Sequence, residues 1–89
     1  MSDDANMVEA TLRATLVDVL GIDEDRVAAF QSDTGLFGSL PELDSMAVAT
    51  LLTELEDRLG ISIDDDEVEI EMFETYGGLL AFMCMKALR

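Results

Sequence analysis

Two stretches of the chain place apolar residues at the spacing of one face of an α-helix, and a third, near the end of the chain, is a run of apolar residues. The first ends at Gly21 and the second at Gly60, and glycine suits the left-handed end of a helix. The first two faces consist of Val8, Leu12, Leu16, Val19 and Leu20, then of Val48, Leu51, Leu52, Leu55 and Leu59. Thr75 can cap the third stretch. The pattern predicts helices from near Asp4 to Leu20, from Ser45 to Leu59, and from just after Thr75 to about Leu88.

The segment from Ile22 to Asp44 has no regular period, although its apolar residues are expected to hold it against the helices. A loop of this length in a small domain is usually functional or pinned by its own side chains. A short third helix is expected around Ile70 to Glu74, and no stretch alternates as a β-strand would. The sequence therefore predicts an all-α fold, a four-helix bundle with a long loop between helices one and two and a short third helix. We expect residues 1–89 to form one domain.

The charge of the chain narrows its possible partners. Lys and Arg number 5 against 20 Asp and Glu, a net charge of −15. Nucleic acid is therefore excluded as a partner, because its phosphates are bound by clustered Lys and Arg, and basic protein surfaces are favoured instead. Histidine is absent, which removes the commonest general base and transition-metal ligand, so we expect no enzymatic activity.

Several features have ordinary explanations. Cys84 lies in an apolar run without a histidine to activate it, and we expect it to pack as a small hydrophobe. The run Asp64-Asp65-Asp66-Glu67 lacks the sixth-position glycine of a calcium loop, so no metal site is expected, although weak divalent binding stays open.

No apolar run approaches the roughly 20 residues that span a bilayer, and the acidic start is unlike a secretory signal. A cytoplasmic monomer is expected.

Ser45 stands where a loop containing Gly38 and Pro41 meets the second predicted helix. Its ordinary role would be that of a helix N-cap, which contributes about 1 kcal/mol, and the local sequence alone favours that role. The alternative is a hydroxyl held toward solvent at the positive end of the helix dipole, where a phosphate is favoured. Ser39 is the competing hydroxyl, but Pro41 keeps its segment extended, so Ser39 is expected to be a turn residue.

The order of motifs along most of the chain resembles that of acyl carrier proteins. The matching runs are Leu36-Phe37, Leu43-Asp44-Ser45-Met46, the helix end from Leu55 to Ile61, and Phe73-Glu74-Thr75-Tyr76-Gly77. Asp-Ser-Met is similar to the Asp-Ser-Leu attachment site of that family. The resemblance implies that Ser45 carries a 4′-phosphopantetheine arm derived from coenzyme A, whose thiol holds an acyl group as a thioester. It also implies that Asp44 orients the metal-bound cofactor during modification.

The resemblance further implies a carrier that presents its acyl group to enzymes of fatty-acid, polyketide or related specialised biosynthesis. Its partners would be a phosphopantetheinyl transferase, an acyl-loading ligase or acyltransferase, a synthase and downstream acyl-processing enzymes with basic surfaces. The residues expected to meet these partners are Met46, Glu54, Glu56 and Asp57. An acyl pocket is expected among Leu51, Leu55, Ile61, Ile63, Phe73, Leu79 and Phe82.

Two departures from the family pattern leave the subtype open. Met46 replaces the usual leucine, and Leu40-Pro41-Glu42-Leu43 stands where many primary-metabolism carriers have a shorter approach containing glycine. These departures favour a dedicated pathway loaded by an acyl-activating ligase. A peptidyl or aminoacyl carrier of nonribosomal synthesis is a close alternative, although such carriers are usually less acidic and have glycine around the serine. An acidic helical adaptor that is never modified is the alternative from another class.

Overall fold

The first apolar face forms the longest helix of the protein. The computed structural model describes residues 2–88, and in it α1 spans Ser2–Leu20. The remaining helices are α2 (Glu24–Ala28), α3 (Ser45–Leu59) and α4 (Tyr76–Ala87), and two 3₁₀ turns span Asp65–Glu67 and Ile70–Phe73. Between residues 2 and 88 there is no β-strand, only an isolated bridge between Gly35 and Thr75. The predicted all-α class is confirmed.

The bounds of α3 agree with the sequence pattern because both ends are marked by local signals. Asp44 precedes the helix, and Gly60 follows it with φ of 65°, a left-handed conformation that glycine adopts without strain. Thr75 caps α4 as expected, since its hydroxyl accepts a hydrogen bond from the Gly78 amide.

Two short elements differ from the prediction. The segment from Ile22 to Asp44 contains α2, a helix of 5 residues that buries only Val27 and is too short to display a helical period. The 3₁₀ turn over Asp65–Glu67 was also not expected, whereas the short third helix expected around Ile70 to Glu74 is present as a 3₁₀ helix over Ile70–Phe73. Within the described part of the chain, no helix is both long enough and apolar enough to cross a membrane.

The core lies around α1, which contacts α2, α3 and α4. Its buried apolar side chains are Val8, Leu12, Leu16, Leu20, Ile22, Val27, Phe30, Leu36, Leu43, Val48, Leu51, Leu55, Phe73, Tyr76, Leu79 and Met83. Cys84 is partly buried against this cluster, as its apolar surroundings predict. Each large apolar side chain contributes roughly 1.5–3 kcal/mol on burial, so the helices are stable mainly through these shared contacts.

Backbone hydrogen bonds attach the long loop before α3 to the segment that begins α4. They run from the amides of Leu36, Phe37, Tyr76 and Gly77 to the carbonyls of Glu74, Phe73, Thr34 and Ser32, over 2.8–2.9 Å. A Cβ atom at Gly77 would lie 2.7 Å from the Ser32 carbonyl oxygen. Glycine at this position therefore permits the close approach of the loop, although it weakens the first turn of α4.

A polar cluster also joins α1 to α4. The Tyr76 hydroxyl donates to Glu9 Oε2 over 3.0 Å, and Arg13 Nη2 donates to the same oxygen over 2.8 Å. The Arg13 guanidinium lies 4.7 Å from the centroid of the Tyr76 ring and donates to the carbonyls of Val27 and Phe30. The hydrogen bond from Arg13 lowers the pKa of the Glu9 carboxyl. Burial, together with the bond to Glu9, raises the pKa of Tyr76.

Candidate functional site

Ser45 is the first residue of α3, and it is exposed. The N-cap is Asp44, whose backbone is extended with φ of −100° and whose Oδ1 accepts a hydrogen bond from the Ala47 amide over 2.8 Å. The interpretation of Ser45 as the cap is therefore wrong, because Ser45 already has helical conformation and its neighbour satisfies the free amide. The Ser45 hydroxyl is thereby left available at the positive end of the helix dipole.

The loop before α3 is fixed immediately ahead of this serine. Leu43 is buried in the core, two residues before Ser45. Its amide donates to the Leu40 carbonyl over 3.1 Å, and the Leu40 amide donates to the Leu36 carbonyl over 2.8 Å. Because these turns anchor the chain up to Leu43, the position of Ser45 is set by the core. Ser39 lies in an exposed turn of this loop, as expected, but the segment before Pro41 is folded into turns and is not extended.

A groove opens beside Ser45 and follows α3. Its volume of about 350 Å³ lies in the range of small-molecule sites. We call it the Ser45 groove, and it is lined by Ser45, Val48, Ala49, Leu52, Thr53, Glu56, Ile63 and Val68. The first six line it from α3, and from Ser45 to Glu56 that helix rises roughly 16 Å. Ile63 and Val68 form the wall opposite α3.

The residues expected to bind partners all lie on α3 but differ in their surroundings. Met46 is 81% exposed, directly beside Ser45. Asp57 is exposed, whereas Glu54 is partly buried and its carboxylate lies 3.0 Å from Arg58 Nε. Glu56 faces the groove, where Oε2 accepts a hydrogen bond from the Ile63 amide over 2.6 Å. Met46 and Asp57 are thus the two that are fully presented to a partner.

Only one of the seven residues expected to form an acyl pocket lines the Ser45 groove. That residue is Ile63. Those fully buried in the packed core are Leu51, Leu55, Phe73 and Leu79. Ile61 and Phe82 are partly buried against the core. In this structure the open space near Ser45 therefore lies between α3 and the segment that contains Ile63 and Val68, and not among these buried side chains.

The groove residues on α3 could have been found from the sequence. Ser45, Ala49 and Thr53 are spaced by four residues, so they share one face of the helix as a row that starts at the serine. The predicted pocket instead took Leu51 and Leu55 from the apolar face of α3. These two side chains are buried in the core, whereas Val48 and Leu52 of the same face line the groove. Val68 had no such signal, because it belongs to an irregular segment whose position depends on tertiary contacts.

In the part of the chain that the structure describes, no group of three or more His, Cys, Asp or Glu side chains is arranged to hold a metal ion.

Comparison with known proteins identifies relatives over most of this chain. A family model described as a phosphopantetheine attachment site matches residues 10–83, which include Ser45 and the whole groove. The solution NMR structure of a holo acyl carrier protein from Nitrosomonas europaea is similar to the chain, with 41% sequence identity and a TM-score of 0.74. The match covers 88% of this chain and 90% of that protein.

Proposed function

The chain belongs to the acyl carrier protein family, whose members are not enzymes and bear a covalent phosphopantetheine group, and we propose that this group is attached to Ser45. The observation that carries the proposal is the position of the Ser45 hydroxyl, exposed at the start of α3 while Asp44 caps the helix. The phosphate of the arm would lie at a helix N-terminus, where negative charge is favoured. The alternative of an adaptor that is never modified does not fit this family.

Phosphopantetheine supplies a thiol that holds an acyl group as a thioester. The residues around Ser45 fit the arm because an exposed hydroxyl opens directly onto a groove of the size that small molecules occupy. Asp44 is exposed beside this hydroxyl, and we assign it the role of orienting the metal-bound cofactor while Ser45 is modified. The carrier would hold the arm, orient the acyl group and partly exclude water from the thioester. The partner enzymes would catalyse the reactions of the acyl group.

The tethered group is proposed to turn back along α3 into the Ser45 groove. The apolar side chains that line the groove are Val48, Ala49, Leu52, Ile63 and Val68. Each methylene buried there would contribute about 0.8 kcal/mol. Thr53 and Glu56 make the far part of the groove polar, which favours cargo that carries a polar group or ends before reaching them. The pocket expected among Leu51, Leu55 and their neighbours stays a prediction that requires the packed helices to part.

The carrier is proposed to serve fatty-acid, polyketide or related specialised biosynthesis. Its proposed partners are a phosphopantetheinyl transferase, an acyl-loading ligase or acyltransferase, a synthase and later acyl-processing enzymes. The exposed Met46 and the acidic end of α3 suit partners that combine an apolar socket with basic residues. The difference between the intact masses of the carrier isolated from cells before and after cleavage of its thioester would give the mass of the cargo, and hence its class.

The attachment site is tested by substituting its two candidate serines separately. Each variant is incubated with coenzyme A and a broad-specificity phosphopantetheinyl transferase, and its intact mass is measured. We expect one phosphopantetheinyl group on the wild type and on Ser39→Ala, and none on Ser45→Ala. Circular dichroism should show that Ser45→Ala keeps its helices, because the cap is supplied by Asp44. Modification that persists in Ser45→Ala, or that is lost in Ser39→Ala, would contradict the assignment.

A further inference from the structure

Lys86 lies in the last turn of α4. Among the cations between residues 2 and 88, its side chain is the least exposed. Its side chain is 8% exposed, whereas the side chains of Arg13, Arg26 and Arg58 are 27%, 51% and 31% exposed. Lys86 Nζ lies 2.9 Å from both carboxylate oxygens of Glu67. Lys86 lies beyond the residues 10–83 that match the family model.

Glu67 does not line the Ser45 groove itself but lies in the segment between Ile63 and Val68, the two residues that form the wall opposite α3. It ends the 3₁₀ turn Asp65–Glu67, and the next residue, Val68, lines the groove. Its Oε2 also accepts a hydrogen bond from the Asp64 amide over 2.9 Å, directly after Ile63, the other residue of that wall. The position of Glu67 therefore controls both side chains of the wall.

The wall is attached to the helices on either side by hydrogen-bonded carboxylates. On the α3 side, Glu56 Oε2 accepts from the Ile63 amide. On the α4 side, Glu67 binds Lys86. Because Asp64, Asp66 and Glu69 are acidic and exposed in the same segment, like-charge repulsion would push the wall outward. The almost buried Lys86 opposes this repulsion through its attraction to Glu67, and salt screens such a buried interaction only weakly.

We propose that Lys86 is a positioning residue of the carrier site. Through its ion pair with Glu67 it holds Ile63 and Val68 against the groove, and so sets how well the groove shields the thioester of the tethered group. The inference rests on the proposed attachment at Ser45 and on the proposed placement of the cargo in the groove. Lys86 does not line the groove, so it would act through Glu67 and not by contact with the arm.

The test uses an octanoyl group as the probe. The carrier is loaded from octanoyl-coenzyme A by a broad-specificity transferase, and cleavage of the thioester by hydroxylamine is followed by intact mass. In Lys86→Met, which keeps an unbranched apolar chain but removes the charge, cleavage should be several-fold faster than in the wild type. Glu67→Gln should accelerate it as well, and Lys86→Arg should restore slow cleavage. In NMR spectra, the Ile63 and Val68 signals should shift in Lys86→Met.

Arg26→Met is the matched control, because it removes a cation paired with Glu42, and neither residue lines the groove. Its thioester should be cleaved at the wild-type rate. Equal cleavage rates in the wild type, Lys86→Met and Glu67→Gln would overturn the inference, as would wild-type cleavage as fast as that of free octanoyl-coenzyme A. Failure of the wild type to accept any arm would instead contradict the attachment at Ser45. If Lys86→Met does not fold, Glu67→Gln and the comparison with free octanoyl-coenzyme A still decide the question.

Discussion

Adjacent residues at the start of α3 have separate tasks. The Asp44 carboxylate accepts the hydrogen bond of the free Ala47 amide. The Ser45 hydroxyl is therefore not needed as a helix cap. A serine that served as the cap would have its oxygen engaged with the helix, and modification would have to break that bond. The division of tasks means that attaching a bulky phosphodiester to Ser45 need not destabilise α3.

The polar cluster of Glu9, Arg13 and Tyr76 makes part of the stability depend on pH. The hydrogen bond from Arg13 lowers the pKa of Glu9 in the folded protein, so the charged carboxylate stabilises the fold. This contribution is present above about pH 4.3, the ordinary pKa of a glutamate, and is lost as the pH falls through the lowered folded value. The free energy of unfolding of the wild type should therefore exceed that of Glu9→Gln at neutral pH, and the difference should shrink in acid.

Urea denaturation at a series of pH values checks this expectation. Taking the difference from Glu9→Gln cancels the relief of general charge repulsion that acid brings to the whole chain. Tyr76→Phe is a useful control, because it removes the weaker of the two bonds to Glu9 and leaves Arg13 in place. It should retain most of the pH dependence. A difference that is constant across pH would show that Glu9 titrates alike in the folded and unfolded chains.

The sequence could not predict this cluster, because Glu9 and Tyr76 are separated by 67 positions. Ser45 and Asp44, in contrast, are recognisable because they are consecutive and stand at a helix boundary. The same distinction explains why Lys86 and Glu67 were not singled out from the sequence. In a chain with 20 acidic residues, spacing alone does not indicate which carboxylate a given lysine will meet.

At the scale of the elements, the junction between the long loop and α4 is set by a steric requirement. Gly77→Ala should lower the free energy of unfolding, although alanine is better than glycine in a helix by about 1 kcal/mol. The new Cβ would lie 2.7 Å from the Ser32 carbonyl oxygen. Because this is a backbone atom, a side-chain rotation cannot relieve the clash. Overpacking of this kind costs roughly 1–3 kcal/mol, so the expected result is a net loss.

Thermal or chemical denaturation measures this effect. Thr50→Ala serves as the control, because Thr50 is exposed on α3 and its hydroxyl bonds only to the Met46 carbonyl of its own helix. That variant should be neutral or slightly more stable, as helix propensity predicts. If Gly77→Ala were as stable as Thr50→Ala, the loop would be free to move away from α4.

The three long helices could be predicted from the sequence because their apolar faces and end residues are local signals. Of the short elements, only the helix around Ile70 was expected. α2 buries a single side chain, and the two 3₁₀ turns contact α4, so their positions depend on tertiary contacts. The Ser45 groove lies between α3 and this irregular segment. Its α3 side could therefore be deduced from the row that starts at Ser45, and its opposite side required the structure.

At the scale of the whole molecule, the positive charges are paired with acidic side chains of the same chain. Every cation between residues 2 and 88 forms an ion pair with an acid: Arg13 with Glu9, Arg26 with Glu42, Arg58 with Asp18 and Glu54, and Lys86 with Glu67. Bonds to Asp18 and Glu54 raise the pKa of Arg58. The outward field of the chain is therefore strongly negative, and it should attract basic surfaces at long range.

This field predicts how a partner finds Ser45. Asp57→Lys should lower kcat/KM for modification by the transferase several-fold at low salt, chiefly through slower association, while kcat changes little. Asp57 is a cleaner choice than Glu54, because reversing Glu54 would also break its pair with Arg58. The wild-type kcat/KM should itself fall as ionic strength rises, since exposed charges are screened over about 10 Å at 0.1 M salt.

Asp4→Lys separates steering by the surface of α3 from a simple effect of net charge. It changes the charge of the chain by the same amount, but it lies on α1, which contributes nothing to the Ser45 groove. If α3 is the surface that partners approach, Asp4→Lys should slow modification much less than Asp57→Lys, and the two rates should converge at high salt. Equal effects of the two variants would mean that partners respond to the net charge alone. Rates indifferent to both variants and to salt would instead assign recognition to the apolar contact that Met46 offers, 81% exposed beside the serine.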